Sequence, residues 1–245
     1  MKIKNLLSIV AIVSVVLFAS CDKDDTDPSS LIIIPEQTTV QTTISLAGAS
    51  NFAILAGSEV TNTGETVITG DIGLSPGTSI GGFPPGILNG TQHINDTIAN
   101  QAKLDIIGAY NEAAAKTSAE AVTLSGNIGG LTLTPGLYFS TSSLSISSGD
   151  ITFDAMGDAN AVFIIQIASA FTTTSGRAVI LSGGASASNI FWNVGSSATF
   201  GTTTVMKGTV LAVESITFNT GATLDGRALT RTGGVTLEGN TIVKK

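Results

Sequence analysis

The sequence has few charged, aromatic and sulfur-containing residues, and each shortage narrows the range of functions. Charged residues make up 12% of the 245 residues, and the formal net charge is −7. Binding to nucleic acid or to an anionic membrane surface requires clustered lysine and arginine, so the composition argues against both partners. Cys21 is the only cysteine, which excludes an internal disulfide. Threonine, in contrast, is abundant at 33 residues, and glycine contributes 28.

The N-terminal segment has the layout of an export signal. Lys2 and Lys4 form a basic region, and the apolar run 6–18 that follows is shorter than the roughly 20 residues that span a membrane. The small residues before Cys21 resemble a bacterial lipobox, in which the thiol is diacylated. The alternative is ordinary signal-peptidase cleavage. We predict a lipoprotein-type signal peptide over residues 1–21, lipidation at Cys21, and a flexible tether over residues 22–43. The protein is expected to be secreted or anchored to the outer membrane of a bacterium.

One domain is predicted over residues 44–245. Short alternating apolar runs broken by glycine indicate strands and turns. Residues 78–95 are interpreted as a cap loop because they contain two glycine and proline clusters. A helix is predicted over about residues 96–117, with Asn95 or Asp96 as N-cap. Its apolar positions keep a spacing of three and four residues, namely Ala99, Ala102, Ile106, Ala109, Tyr110 and Ala113.

An internal repeat follows the helix. The stretches SATFGTTTVMKGTVLA (197–212) and SITFNTGATLDGRALT (215–230) share six identical positions at an offset of 18, and a third copy over residues 234–242 follows at an offset of 19. A period of 18 to 20 residues with three short strands is typical of a β-solenoid coil. Strand alternation predicts that the apolar side chains of each copy point inward and that Thr217 and Asn219 point outward. The predicted inward sets are Ala198, Phe200 and Met206, then Ile216, Phe218 and Leu224, then Val235, Leu237 and Ile242.

A further copy lies far away along the chain. The segment Asn62–Thr66 reads NTGET, which matches NTGAT at residues 219–223. Because equivalent coils of a solenoid must stack, we predict that the N-terminal coil packs against the C-terminal coils, with the helix alongside.

The order of several segments resembles the microbial ice-binding protein family across residues 44–245. The resemblance is carried by NFAILAGSEVTNTG (51–64), TGDIGLSPG (69–77), LTPGLYFS (133–140), DANAVFIIQI (158–167), SNIFWNVGSSATFG (188–201), GTVLAVESITFNTGATLDGRAL (208–229) and GGVTLEGNTI (233–242). It implies a mainly β fold, a discontinuous right-handed triangular β-solenoid with one long helix packed alongside. It also implies adsorption to ice, inhibition of recrystallisation and thermal hysteresis. The family's loose Thr-Ala/Gly-x-Thr/Asn pattern is met at residues 63–66 and 220–223, and is degraded at 202–205 and 172–175.

A flat surface of small hydroxyl side chains suits ice, which offers a regular lattice of water oxygens and no charge. Threonine combines a hydroxyl with a methyl group, and its β-branch leaves few rotamers to immobilise. The candidate ice-facing residues are Asn62, Thr63, Thr66, Ser148, Thr152, Thr172, Thr174, Thr199, Thr202, Thr217, Asn219, Thr220 and Thr223. The two threonines of Thr-Gly-x-Thr are three residues apart, so either a bend at Gly64 and Gly221 brings both outward or only one of them lies on the flat face. The expected partner is the ice surface, bound by a monomer without cofactor or metal.

Rival functions have weaker support in the sequence. Ser75 lies in a G-x-S-x-G match, but the proline after it and the loop signals around it do not fit a strand–turn–helix nucleophile. His93 is interpreted as a surface or cap residue, and Trp192 as core. Asp150, Asp154 and Asp158 do not have the spacing of a calcium-binding loop. A solenoid polysaccharide lyase would need clusters of charged residues, so no enzyme is expected. A surface adhesin that binds a glycan or protein through the same flat face remains the alternative.

Overall fold

A computed structural model describes residues 34–245 of the chain. The predicted signal peptide, the lipidation site Cys21 and the first part of the tether lie outside the described residues. Within residues 34–245, no helix is both long and apolar enough to cross a membrane.

The described chain is built from short parallel strands and one long helix. In chain order the strands are β1 (Phe52–Ala56), β2 (Glu59–Thr63), β3 (Val67–Thr69), β4 (Asp71–Leu74), β5 (Ser79–Gly81), β6 (Ile87–Asn89) and β7 (Gln92–Ile94), followed by helix α1 (Thr97–Ala115). The strands after the helix are β8 (Val122–Thr123), β9 (Gly126–Asn127), β10 (Thr132–Leu133), β11 (Gly136–Ser140), β12 (Leu144–Ile146), β13 (Ile151–Asp154), β14 (Phe163–Ile167), β15 (Phe171–Thr173) and β16 (Val179–Ser182). The last are β17 (Ile190–Val194), β18 (Ala198–Phe200), β19 (Val205–Ala212), β20 (Ile216–Phe218), β21 (Thr223–Thr230), β22 (Val235–Glu238) and β23 (Thr241–Val243).

These strands form eight stacked coils, each with one strand on each of three faces. Coils 1 to 3 are β8–β10, β11–β13 and β14–β16. Coils 4 to 6 run through β17 to β23, with β19 and β21 each turning a corner and serving two coils. Coils 7 and 8 are β1–β3 and β4–β6, and β7 pairs with β4 beyond them. The predicted β-solenoid with three strands per coil is confirmed.

The bends inside β19 and β21 require glycine. Gly208 has φ 107° and Gly226 has φ 151°, backbone conformations that side chains rarely adopt. A Cβ atom at Gly226 would lie 1.9 Å from the carbonyl oxygen of Gly208. The two glycines therefore allow one continuous strand to pass from one face of the solenoid to the next.

The three faces differ in what covers them. The helix face consists of β8, β11, β14, β17, the second halves of β19 and β21, β1, β4 and β7, and α1 packs against it. The ladder face is the eight-stranded sheet in the order β5-β2-β22-β20-β18-β15-β12-β9. The mixed face consists of β10, β13, β16, the first halves of β19 and β21, β23, β3 and β6. The ladder face and the mixed face carry no helix within the described residues.

The two ends of the domain stack side by side, as the repeat predicts. In coil 7, β2 pairs in parallel with β22 of coil 6, and β3 pairs with β23. Strand β1 pairs with β21. The chain thus builds coils 7 and 8 first, crosses back along the stack through α1, and then builds coils 1 to 6 until coil 6 meets coil 7.

Helix α1 begins at the predicted cap. The Asp96 side chain accepts a hydrogen bond from the Ala99 amide at 2.7 Å, and this bond together with His93 lowers the pKa of the Asp96 carboxyl. The small face of Ala102, Ala109 and Ala113 packs on the helix face of the solenoid, with Ile106 between them. Lys103 is also buried, which the apolar periodicity does not predict. Its ammonium group donates to the carbonyl oxygens of Thr230 and Arg231, and burial lowers its pKa to about 8.

The solenoid interior is filled by the apolar residues that alternation predicts. All nine inward positions of the three repeat copies are at most 1% exposed. Trp192 is fully buried, stacks on Phe171 with ring centroids 4.6 Å apart, and donates from Nε1 to the Lys207 carbonyl. Phe200 and Phe218 continue the aromatic stack, with centroids 4.9 Å apart. The ladder face therefore lies over a close-packed aromatic core.

Two predicted boundaries need correction. Residues 78–95 are not simply a loop, because β5, β6 and β7 within them complete coil 8 and extend the helix face. Residues 34–43, predicted as tether, pack against the domain. Gln37 is buried and accepts a hydrogen bond from the Leu137 amide, and the Glu120 carboxylate accepts from the amides of Thr38 and Thr39. Residues 34–43 are held in place mainly by hydrogen bonds, which polar side chains and backbone groups supply. Their composition is therefore as polar as that of a flexible linker.

Candidate functional site

A single column of threonines runs down the middle of the ladder face. Strand pairing places Thr172 opposite Thr199, Thr199 opposite Thr217, Thr217 opposite Thr236, and Thr236 opposite Thr61. These five residues, Thr172, Thr199, Thr217, Thr236 and Thr61, form the threonine column. Ser145 extends it at one end and Gly81 at the other. Five consecutive coils, from coil 3 to coil 7, therefore present the same side chain at the same position.

The orientation of the column follows from strand alternation. In β20, for example, Thr217 is partly exposed while Ile216 and Phe218 on either side of it are fully buried. Neighbouring strands lie about 4.8 Å apart, so the backbone positions of equivalent threonines repeat at about that spacing along the column. The Oγ1 atoms of Thr61 and Thr236 lie 3.4 Å apart. The core beneath the column holds these backbone positions in place.

Small polar side chains flank the column on both sides. Two residues before the column threonines stand Ser197 and Ser215, and two residues after them stand Thr174, Asn219 and Thr63. Carboxylates occur only in these flanking positions of the face, as Glu59 and Glu238. Glu238 accepts a hydrogen bond from the Thr220 amide at 3.1 Å, which fixes it against the neighbouring coil. The central column itself carries no ionisable group.

Eleven of the thirteen sequence-predicted residues fall into four places on the surface of the structure. Thr172, Thr199 and Thr217 lie in the threonine column, and Thr63, Thr174 and Asn219 flank it. Ser148, Thr202 and Thr220 are exposed at the corner between the ladder face and the mixed face. Thr152 and Thr223 lie on strands of the mixed face. Gly221, with φ 71°, turns the chain between Thr220 and Thr223, so the two threonines of that motif do not share a flat face.

The prediction that Asn62 and Thr66 face ice is wrong, because both side chains point into the protein. Asn62 is 9% exposed and donates from Nδ2 to the carbonyl oxygens of Gly64 and Gly82. Thr66 is fully buried, and its Oγ1 accepts from the Asn240 amide. The matching letters at 62–66 and 219–223 are one residue out of structural register, and a slip of one residue turns a side chain to the other side of a strand.

Thr61 and Thr236 are the column residues that the sequence prediction missed. Both lie between inward-facing neighbours, Val60 and Asn62 in one case and Val235 and Leu237 in the other. The alternation in the third repeat copy already contained this signal for Thr236. For Thr61, the Asn-Thr-Gly match indicates a register that is one residue away from the observed pairing of Thr61 with Thr236.

The mixed face lacks a uniform column. Its outward residues combine exposed apolar side chains, including Ile180, Val205 and Ile87, with a charged cluster. In that cluster Asp225 lies 3.9 Å from the Lys207 ammonium and 3.3 Å from that of Lys245. These long charged side chains surround a shallow depression next to Thr223 and Thr241. The mixed face is thus less regular than the ladder face.

The residues considered for other chemistry are engaged in structural contacts. Ser75 is buried, and its hydroxyl donates to Asn100 Oδ1. His93 Nδ1 lies 2.6 Å from the Asp96 carboxylate, and its ring packs edge-on against Phe52. Asp150 and Asp154 accept backbone amide hydrogen bonds near strand ends. Residues 34–245 contain no cluster of three or more histidine, cysteine or acidic side chains arranged to hold a metal.

The chain is similar to known proteins in both sequence and fold. The family described as ice-binding-like matches residues 54–243. An ice-binding protein of Nostoc sp. (strain HG1) is 47% identical over 201 residues, covering 81% of this chain and 74% of that protein. An ice-binding protein of Flavobacterium frigoris (strain PS1) is 32% identical and is matched over 99% of both chains. The crystal structure of an ice-binding protein from an Antarctic biological consortium is 74% identical, with a TM-score of 0.86 over 86% of this chain and 95% of that chain. A match over this much of the sequence and of the fold shows that the chain belongs to the ice-binding-like family.

Proposed function

We propose that the protein adsorbs to ice through the ladder face and thereby inhibits ice growth and recrystallisation. The observation that carries the proposal is the threonine column, which repeats one side chain in register over five coils. The column also continues from coil 6 into coil 7. These two coils are far apart in the sequence, so the 18-residue repeat does not account for the alignment of their threonines. Thr61 and Thr236 belong to opposite ends of the domain, yet they align within the same column.

The physical properties of the column fit an ice surface. Each threonine offers a hydroxyl that can hold a water molecule and a methyl group around which water becomes ordered. Its β-branched side chain has few rotamers to lose on adsorption. Each contact is weak, but several contacts made together by one rigid surface raise the overall affinity strongly. Water molecules held between protein and ice are effective interface components.

The ladder face fits this role better than the mixed face. The mixed face places Lys207, Asp225 and Lys245 beside its central strands. Charged groups hold their hydration water in arrangements that do not match ice, and long side chains lose rotamer entropy when they are immobilised. On the helix face, α1 covers the strands. The ladder face is the one that combines exposure, uniformity and small side chains.

The test is a recrystallisation assay on the purified domain and two matched variants. Thr217→Tyr places a bulky ring at the centre of the column, and Thr241→Tyr places the same ring on the mixed face. We expect wild-type protein to suppress grain growth at micromolar concentration, Thr217→Tyr to need about tenfold more protein, and Thr241→Tyr to act like wild type. Equal melting temperatures would show that both variants fold. Grain growth unaffected by wild-type protein would refute ice binding, while equal activity of both variants would refute the choice of face.

We also propose that the protein is exported, acylated at Cys21 and active as a monomer. The support lies in the basic and apolar sequence before Cys21 and in a ladder face that is complete within one chain. Cells that express the full chain should incorporate labelled palmitate into it, and Cys21→Ala should abolish the label. A labelled Cys21→Ala protein, or an unlabelled wild type, would contradict acylation.

A further inference from the structure

At the corner between the ladder face and the mixed face, one coil has threonine where its two neighbours have glycine. Four residues after the column threonine, coils 3, 4 and 5 have Gly176, Thr203 and Gly221. All three adopt left-handed backbone conformations, with φ 71°, 57° and 71° respectively. Glycine adopts this conformation without steric cost, whereas a β-branched residue in it is a true outlier.

Thr203 is the only β-branched residue with positive φ among residues 34–245; the other non-glycine cases are Ala47, Asn95 and Met156. Its side chain does not compensate for the strain by filling the core, because Thr203 is exposed while the next residue, Thr204, is fully buried. The corner therefore keeps a strained residue whose side chain faces solvent. Such strain is typical of positions where function requires a particular side chain.

The Thr203 side chain is nevertheless fixed. Its hydroxyl donates to the Thr202 carbonyl oxygen at 2.7 Å, which leaves the oxygen lone pairs available to accept from water. Its methyl carbon lies 3.5 Å from the position that a Cβ atom at Gly221 would occupy. The Thr203 amide donates to the Thr220 carbonyl in the next coil. The hydrogen bond to the Thr202 carbonyl thus favours one orientation of the Thr203 side chain.

We propose that Thr203 contacts ice and extends the adsorbing surface from the ladder face onto this corner, next to the exposed Thr202 and Thr220. The proposal rests on the ice-binding role of the ladder face. It adds a residue that the repeat pattern would assign to glycine, and it explains why coil 4 differs from coils 3 and 5. In this account Thr203 lowers the stability of the fold and raises the affinity for ice.

The variant Thr203→Gly tests the effect of Thr203 on stability and its effect on ice affinity separately. Relief of the backbone strain should raise the melting temperature by about 2–4 °C, while the concentration needed to inhibit recrystallisation should rise at least about twofold because a contact is lost. A second variant, Thr203→Tyr, keeps a β-carbon and should lower ice activity without that gain in stability.

The outcomes are distinct from those for the proposed function. If Thr217→Tyr loses activity but both Thr203 variants inhibit recrystallisation like wild type, the corner does not touch ice and this proposal is wrong while the ladder face stands. If Thr203→Gly melts below wild type, the strain argument fails. If wild-type protein does not act on ice, the proposed function itself falls.

Discussion

At the scale of single residues, orientation decides whether a threonine serves the surface or the core. Thr217 and Thr66 have the same side chain, yet Thr217 lies in the threonine column and Thr66 is fully buried with its hydroxyl accepting from the Asn240 amide. Strand alternation predicted the inward residues correctly because an apolar side chain on the wrong side of a strand costs burial energy. Letter matching at 62–66 failed because it ignores register.

The two groups of the threonine side chain make separable contributions. Thr217→Val keeps the γ-methyl group and the β-branch and replaces the hydroxyl with a second methyl, whereas Thr217→Ser keeps the hydroxyl but loses the methyl group and gains rotamer freedom. We expect Thr217→Ser to lose more ice activity than Thr217→Val, with both changing stability by less than about 0.5 kcal/mol because the site is on the surface. Recrystallisation endpoints and melting curves measure the two effects. Greater loss in the valine variant would mean that hydroxyl contacts dominate adsorption.

At the scale of elements, the strands and the helix were predictable and the polar segments were not. Helix α1 has a periodic small face and an N-cap, and both signals are local. Residues 34–43 contain no such periodicity, and their position depends on hydrogen bonds to distant residues such as Glu120 and Leu137. In residues 78–95 the glycine and proline clusters indicate a loop, and the three-residue strands among them are too short to show alternation. Long-range polar contacts leave little trace in a single sequence.

The attachment of residues 34–43 should depend on pH. Three hydrogen bonds from Thr38 and Thr39 lower the pKa of the Glu120 carboxyl from 4.5 to about 2. A carboxyl with a lowered folded-state pKa stabilises the fold above its unfolded-state pKa, and that contribution is lost as the pH falls from about 4.5 to 2. Hydrogen exchange at the amides of Thr38 and Thr39, corrected for its intrinsic pH dependence, should therefore accelerate over this range.

Glu120→Gln serves as the matched control for this pH effect. It removes the titrating group but keeps an acceptor oxygen, so exchange at both amides should show no additional acceleration between pH 4.5 and about 2. If wild-type protection were unchanged down to pH 2, or if the glutamine variant showed the same acceleration as wild type, titration of Glu120 would not control the attachment of the segment.

At the scale of the whole molecule, the ladder face reaches its full length of eight strands only because the two ends of the domain stack. Coil 7 comes from the N-terminal side of the helix and coil 6 from the C-terminus, and their interface buries Val60 and Val235 completely. A solenoid made of neighbouring repeats can unfold in parts. Here α1 contacts strands β14, β17, β19, β1, β4 and β7 of both segments, which ties the stack together.

Unfolding should consequently be cooperative across the junction. Val60→Ala removes two methyl groups in coil 7 and should destabilise the domain by about 1–3 kcal/mol. Trp192 in coil 4 should report this loss as a lower melting temperature, by about 2–4 °C for each kcal/mol. The comparison is with Val40→Ala, which changes an exposed side chain and should leave the midpoint unchanged. An unaltered Trp192 transition in Val60→Ala would show that coils 4 and 7 unfold independently.

The continuity of the threonine column across coils 6 and 7 is tested most directly by partition into a slowly growing ice front. Thr61→Tyr and Thr172→Tyr alter the two ends of the column, one from each side of the helix in sequence. We expect both variants to be excluded from the ice more than wild type, and Thr241→Tyr to be taken up like wild type. Uptake of Thr61→Tyr at the wild-type level would contradict a single adsorbing surface assembled from both ends of the chain.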